Sequence, residues 1–295
     1  MQQGGLRLRT GPFVTNIRSP LPAVQRGVAL HYAQHPIEPD QAFVDFHVSV
    51  GRPLGIRRWV ARQAVFRFDD TQPFAPLPSA QGFPMLEWGL NWCISNHCHQ
   101  YLIVHAAVLE RGGRALLLPA PSGSGKSTLC AGLALGGGWR LLSDELALIE
   151  PVSGYLVPLP RPLSLKNTSI DVIRGFSPRA LFGEVVQETV KGRVAHVRPP
   201  AEGVLRADER ALPAWVVLPR YVPGTGAQLE PLSRARAFMA LVDNSFNYNV
   251  HGRSGFAAFA KLIDSSDCHN FTYSNLSEAV AAFDKMARSA QWPLH

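Results

Sequence analysis

Ala115-Leu-Leu-Leu-Pro-Ala-Pro-Ser-Gly-Ser-Gly-Lys-Ser-Thr-Leu-Cys-Ala-Gly-Leu-Ala-Leu135 decides the reading of this chain. Ala115 to Pro119 is an apolar run that reads as a short buried strand, and the apolar residues of Thr128 to Leu135 suit a buried helix. Between them lies a Gly-rich turn. In that setting backbone N–H groups point inward and the helix N-terminus adds its positive dipole, so the turn is built for an anion such as a phosphate. The expected contacts are Ser122, Gly123, Ser124, Gly125, Lys126, Ser127 and Thr128. Lys126 would reach the β- and γ-phosphates of ATP, and the Ser127 hydroxyl would sit on the Mg²⁺ that bridges them. The usual pattern begins with Gly where this chain has Ala120, which bears only on the tightness of the first turn. The bland alternative is a Gly/Ser turn with an exposed lysine.

Working outward, Leu102 to Leu109 is an apolar run carrying one histidine, His105, and Arg111-Gly-Gly-Arg114 turns it back into the loop strand as a hairpin. A lone histidine on such a strand is ordinarily a core residue bonded to backbone. Pairing with the loop strand brings His105 close to the phosphate site, which gives it a functional reading as well. Downstream, Gly136-Gly-Gly138 ends the helix. Trp139 to Ile149 reads as a strand with Asp144 and Glu145 in its middle or at its end. Two acids there suit a catalytic base and a Mg²⁺ ligand; the alternative is an exposed strand-end pair. Only 18 residues separate Lys126 from Asp144, a compact kinase-like spacing unlike that of ABC-type ATPases.

Residues 1–80 read as a mostly β N-terminal region, and 81–295 as the loop-bearing domain. Strand-like runs occur at Val28–Tyr32, Ala42–Val50, 55–60 and Ala64–Phe68, and Gln72–Pro78 is a Pro-rich connector. Pro84 to Tyr101 reads as a helix. Cys93, His97, Cys98 and His99 near its end invite a metal, but their spacing fits no ordinary zinc pattern, and buried thiols with satisfied histidines are the better reading. Residues 151–220 look β-rich, with a short helix at Ile170–Arg174 and a hairpin over Thr189–His196. Lys166, Lys191 and Arg193 could neutralise phosphate charge or be solvated surface cations. Helices are expected at Ser233–Val242, Ser254–Ile263 and from Ser277 to 290, with a strand at Asn270–Tyr273 and a polar-aromatic loop at Asn244–Asn249.

Hydrophobic residues make up 46% of the 295, and charged residues 17%, which excludes a disordered chain. No apolar run reaches the length of a membrane span, and the N-terminus lacks a signal-peptide core. Four cysteines do not make a disulfide framework in a chain this long, so a cytoplasmic location is expected. The net charge of +7 suits an anionic nucleotide. Arginines such as Arg57, Arg58 and Arg62 are scattered, and no nucleic-acid module is seen.

Three pieces then line up: His105 lies 21 residues before Lys126, the loop reads Pro-Ser-Gly-Ser-Gly-Lys-Ser-Thr, and Trp-Arg-Leu-Leu-Ser-Asp-Glu follows the helix. Together they resemble the bacterial HPr serine kinase/phosphorylase over about residues 102–150. Ala42–Val50, Leu86-Glu-Trp-Gly-Leu-Asn-Trp92, Ser164–Arg174 and Ser245-Phe-Asn-Tyr248 extend the resemblance over most of the chain to the HPr kinase-related kinase A group. The resemblance implies an α/β fold with a P-loop kinase core of the HPr kinase and phosphoenolpyruvate carboxykinase type, a mixed sheet, a β-rich N-terminal region and a helical C-terminal part. It implies ATP, Mg²⁺ and transfer of the γ-phosphoryl group to a serine hydroxyl. Asp144 would be the base, Lys126 and His105 would flank the phosphates, and Glu145 would hold Mg²⁺ with Ser127, in a position where HPr kinase has a second Asp. A serine in a peptide or small protein is the implied acceptor, with a PqqD-type peptide chaperone as an associated partner and a homo-oligomer as the implied assembly. No copy of the motif tied to the reverse phosphorylase activity is recognisable. Two other readings stay open: a small-molecule hydroxyl kinase on the same scaffold, and a non-catalytic nucleotide-binding regulator.

Overall fold

Apolar alternation sets the first sheet. The computed structural model describes residues 4–53, 62–121 and 123–289; the strand expected at 55–60, Ser122, Arg57, Arg58 and residue 290, the expected end of the last helix, lie outside the described residues. β1 (Leu6–Thr10) and β2 (Phe13–Arg18) form a hairpin, and helix α1 (Pro22–His31) follows. β3 (Phe46–Gly51), β4 (Gln63–Phe68) and β5 (Leu77–Pro78) complete a sheet in the order β1-β2-β3-β4-β5. β3 turns Phe46, Val48 and Val50 inward. The run Val28–Tyr32, read above as a strand, is instead the end of α1. Pro22 opens that helix where a missing N–H costs nothing, and Val24, Val28 and His31 share its buried face. Five residues are too few to separate a period of 3.6 from one of 2.

Helix α2 (Gly82–His97) lies across this sheet. Gly89 meets the Phe66 ring so closely that a Cβ would stand 2.1 Å from it. Phe66, Met85, Leu86 and Leu90 belong to one apolar cluster with Ile103, Leu146 and Leu148 of the second sheet.

That second sheet grows around β6 (Leu102–Arg111), which turns back through Gly112 and Gly113 into β7 (Arg114–Pro119). Both glycines have positive φ, 61° and 80°, as a tight two-residue hairpin demands. β7 leads through the glycine loop into α3 (Lys126–Gly136). β8 (Arg140–Ser143) and β9 (Leu146–Ile149) then pair antiparallel with the other edge of β6, and β10 (Leu156–Val157) adds to β9. The expected acidic strand is thus two strands. Its ladder runs from Val108↔Ser143 to His105↔Leu146 and skips Asp144 and Glu145. Ser143 Oγ accepts the Leu146 N–H at 3.2 Å, bridging the two acids and lifting them from the ladder.

β11 (Leu163–Lys166), helix α4 (Thr168–Phe176), β12 (Val186–Thr189) and β13 (Gly192–Val197) supply a small antiparallel sheet in the order β11-β13-β12. α5 (Ala201–Leu205), β14 (Leu212–Tyr221) and β15 (Gln228–Pro231) lead to α6 (Arg234–Asp243), α7 (Tyr248–His251), α8 (Arg253–Asp264), β16 (Asp267–Tyr273) and α9 (Leu276–Ser289). The large sheet runs β10-β9-β6-β7-β14-β16-β15, with β8 beside β6. β7, β14 and β16 are parallel, and β15 is antiparallel to β16. The fold is therefore mixed α/β with a mixed sheet. Leu116 and Leu118 face α3 and α9, while Leu117 faces α6 and α8, so β7 is buried on both sides. No helix among the described residues is long and apolar enough to cross a membrane.

Glu110 fixes the β6–β7 turn to β8. Its carboxylate accepts from the Gly113 N–H and from Arg140 Nε, and Arg140 also donates to the carbonyls of Arg206 (2.7 Å) and Glu209 (3.0 Å). Both charged side chains are almost wholly buried. Removing one partner of a buried pair strands the other, so Glu110→Ala should lower unfolding free energy by about 3 kcal/mol, and Glu110→Met with Arg140→Leu should lose less. Urea unfolding of the three proteins checks this.

Candidate functional site

The glycine loop stands at the carboxyl ends of three parallel strands. Gly125 caps α3 at φ 91°, a left-handed conformation, and a Cβ there would lie 2.6 Å from the Tyr273 hydroxyl. Tyr273 donates to the Gly125 carbonyl at 2.8 Å and the Tyr221 N–H donates to the Ser124 carbonyl at 2.9 Å. The two tyrosines end β16 and β14, so the parallel neighbours of β7 hold the loop open. Gly123, at φ 90°, faces open space. Ala120 has no positive φ, so nothing in the first turn calls for glycine there. The first-turn amides of α3 have no acceptor within their helix and carry its positive pole.

Lys126 is the first residue of α3 and is buried. Its Nζ lies 2.8 Å from His105 Nε2. An ammonium only donates, so Nε2 accepts and the ring is the neutral tautomer protonated at Nδ1. Burial lowers the Lys126 pKa to about 8, against the pull of Asp144 and Glu145. Burial and the Lys126 charge lower His105 to about 4.

Asp144 is buried as well. Its Oδ2 accepts the Ser164 N–H at 2.9 Å, while Oδ1 finds no partner among the described residues. Burial, and then the Glu145 charge, raise its pKa to about 6, with Lys126 and Lys166 opposing. Glu145 accepts from Asn91 Nδ2 on α2. Asn91 Oδ1 in turn accepts from Arg161 (2.6 Å), which donates to Glu87 (2.7 Å), and Glu87 accepts from the Tyr32 hydroxyl (2.7 Å). The N-terminal region thus reaches the acids through a buried polar chain.

Ser127 stands half-buried in the first turn of α3, and Thr128 donates to Ser169 Oγ at 2.7 Å. Lys166, on β11, lies near enough to act on Lys126, Asp144 and His105. Lys191 Nζ sits 5.1 Å from the Trp88 ring centre. Arg193 instead pairs with Asp171 at 3.1 Å, both side chains largely exposed. Of the loop expected at Asn244–Asn249, Tyr248 and Asn249 instead begin α7, and the chain at Asn244 to Phe246 docks on β6 beside His105, whose backbone N–H donates to the Asn244 carbonyl at 2.7 Å. Cys93 and Cys98 are buried free thiols, and among the described residues no group of three or more His, Cys, Asp or Glu side chains could hold a metal.

No family model matches the chain, and no curated protein matches it. The arrangement itself carries the argument. It gathers Gly123, Gly125, Lys126, His105, Asp144 and Glu145 around the head of one helix. The sequence reading assigned no role to Asn91, Arg161, Glu87 or Tyr32. Four residues contributed by three separate segments leave no local signal; only the fact that Arg161 and Glu87 end up buried makes their pairing obligatory.

Three histidines share one electrostatic condition: His31 and His196 are buried and His105 is half-buried. Burial lowers His31 to about 4 and His196 to about 3, as it lowers His105 to about 4. A depressed folded-state pKa contributes stability above the unfolded value of 6.5, and that stability is lost as pH falls through the folded value. Asp144, raised from 3.8 to about 6, and Glu87, also raised by burial, work in the opposite direction, but His35 and His269 are lowered by burial as well, so five histidines stand against two carboxyls. Stability should therefore fall between pH 6.5 and about 4. His31 stacks on Phe83 at 5.0 Å with neither ring nitrogen bonded among the described residues. His31→Phe should make the fall shallower by about one proton in urea titrations across that range; an unchanged slope would contradict this account.

Proposed function

We propose that this protein is an ATP-dependent, Mg²⁺-requiring phosphotransferase with a P-loop core of the HPr kinase and phosphoenolpyruvate carboxykinase type. Its acceptor is the serine hydroxyl of a peptide or small protein. The observation that supports this reading is the pairing of a buried lysine at the head of α3 with a buried, half-satisfied aspartate whose charge it feels. A cation for phosphate and a base for a hydroxyl are the two parts that phosphoryl transfer most needs.

The residues fit MgATP. Gly123 puts no Cβ into the open space beside the loop, and the loop and helix-head amides would supply the donors for an anion. Ser127 and Glu145 would hold the metal, which needs few protein ligands when phosphates supply the rest. Bound there, Mg²⁺ would neutralise charge on the β- and γ-phosphates.

Lys126 carries its charge to the transferring group. His105, neutral and accepting from Nζ, aims the ammonium without adding a second cation. Asp144 Oδ1 takes the proton of the acceptor hydroxyl as that oxygen forms its bond to the γ-phosphorus. The bond from that phosphorus to the β–γ bridging oxygen breaks, and ADP leaves with the electron pair. Glu145 raises the proton affinity of Asp144 by its charge.

Labelling with γ-phosphate-marked ATP and Mg²⁺ against a pool of peptides and small proteins tests this reading. One or more acceptors should be labelled, and Asp144→Asn should cut the rate by about 10²–10⁴, with Lys126→Ala comparably impaired. ATP binding with no acceptor labelled by the wild type would favour a nucleotide-binding regulator instead.

The same groups set a pH profile. Transfer needs Asp144 ionised and Lys126 charged, so kcat/KM should rise with pH through about 6 and fall above about 8. Asp144→Glu should displace the acidic limb while leaving the alkaline one, as initial rates across this range would show.

A further inference from the structure

Four residues that line one cavity, Trp88, Asp144, Ser164 and His196, each carry a buried side-chain polar atom without a hydrogen-bond partner among the described residues: Nε1, Oδ1, Oγ and Nε2 respectively. They come from α2, the β8–β9 junction, β11 and β13. Asp144, Ser164 and His196 are only 4%, 5% and 3% exposed. A buried polar atom left unmet is costly, so four around one cavity mark a site built for something that meets them.

Their chemistry narrows what that is. The indole N–H only donates, the carboxylate only accepts, and the hydroxyl and the neutral imidazole can do either. An uncharged hydroxyl both donates and accepts and so complements the set. A carboxylate would face Asp144 and Glu145. An ammonium would meet the indole N–H in the cavity and the charges of Lys126 and Lys166 beside Asp144. The cavity holds about 20 Å³ of free volume, room for one oxygen-sized group.

Resting on the phosphotransferase reading above, we propose that this cavity is the acceptor subsite, that it takes a single hydroxyl carried on an unbranched carbon, and that Trp88, Ser164 and His196 set its specificity. The hydroxyl donates to Asp144 Oδ1, the atom that later takes its proton, and accepts from Trp88 Nε1. The arm behind it is a narrow, uncharged one, as in a serine side chain. A secondary alcohol carries an extra methyl for which the cavity has no space.

Binding without turnover separates this proposal from the reading it rests on. The full chain, labelled with ¹⁵N, has six tryptophans, and Trp88→Phe identifies the Trp88 indole signal. N-acetyl-L-serinamide should shift that signal, N-acetyl-L-alaninamide should not, and N-acetyl-L-threoninamide should bind at least about tenfold more weakly. Ser164→Val should abolish the serinamide response while the other indole signals keep their positions, which reports an intact fold. MgADP is titrated in parallel and followed at the Gly123 and Gly125 amides. If serinamide leaves Trp88 unmoved, or alaninamide moves it equally, the acceptor subsite is overturned whatever MgADP does. If serinamide shifts Trp88 and MgADP moves neither glycine, the hydroxyl subsite stands and the nucleotide reading falls.

Discussion

Strand β6 is paired along both edges, and the rest of the site depends on that constraint. One edge takes β7 over Ala106–Arg111 and, past the end of β7, the chain at Asn244 to Phe246. The other takes β9 and then β8. A strand hydrogen-bonded on both sides cannot slip by one residue without turning every side chain to the wrong face. His105 is therefore held at the height where β7 hands over to the glycine loop, within reach of Lys126. The same register leaves Asp144 and Glu145 opposite the middle of β6, where the ladder skips them. Backbone pairing on the two edges of β6 thus brings Asp144 and His105 to the strand end from which Lys126 leads off.

Burial then sets the electrostatics. Lys126, His105 and Asp144 all sit where water is scarce, and each is driven toward its neutral form. An arrangement of this kind is costly in the free protein, and burying charged groups in this way is how stability and function come to oppose each other at functional sites. The surrounding network offsets part of the cost. Arg161 and Glu87 are a buried pair with further bonds to Tyr32 and Asn91, and Asn91 ends on Glu145. Since Tyr32 follows α1 and Asn91 lies on α2, the first sheet and its helices are a support for the acids rather than an appendage to them.

Much of this was legible before folding. The β6–β7 hairpin announces itself through Gly112-Gly113 between two apolar runs, and the loop through glycines spaced between a strand and a helix. The helices at α3, α6, α8 and α9 follow from their apolar faces and, for α6, from Ser233 as its cap. These are local signals, carried by neighbours in sequence. Val28–Tyr32 shows the limit of such signals, because a short apolar window is ambiguous until Val24 and Pro22 are read with it.

By itself the sequence determined the residue types at the loop, the order strand–turn–helix, and the presence of a lysine, a histidine and two acids at close spacing. Only the tertiary structure decided that Asp144 keeps one oxygen without a partner, that Trp88, Ser164 and His196 face the same cavity, and that Tyr32, Glu87, Arg161 and Asn91 form one chain to Glu145. It also turned Arg193 outward to Asp171 while Lys166 came inward. The physical reason is that hydrogen-bond satisfaction and desolvation are properties of a place in the folded molecule. Residues that share such a place here lie far apart in sequence, 129 positions for Tyr32 and Arg161 and 148 for Gly125 and Tyr273, and no periodicity links them.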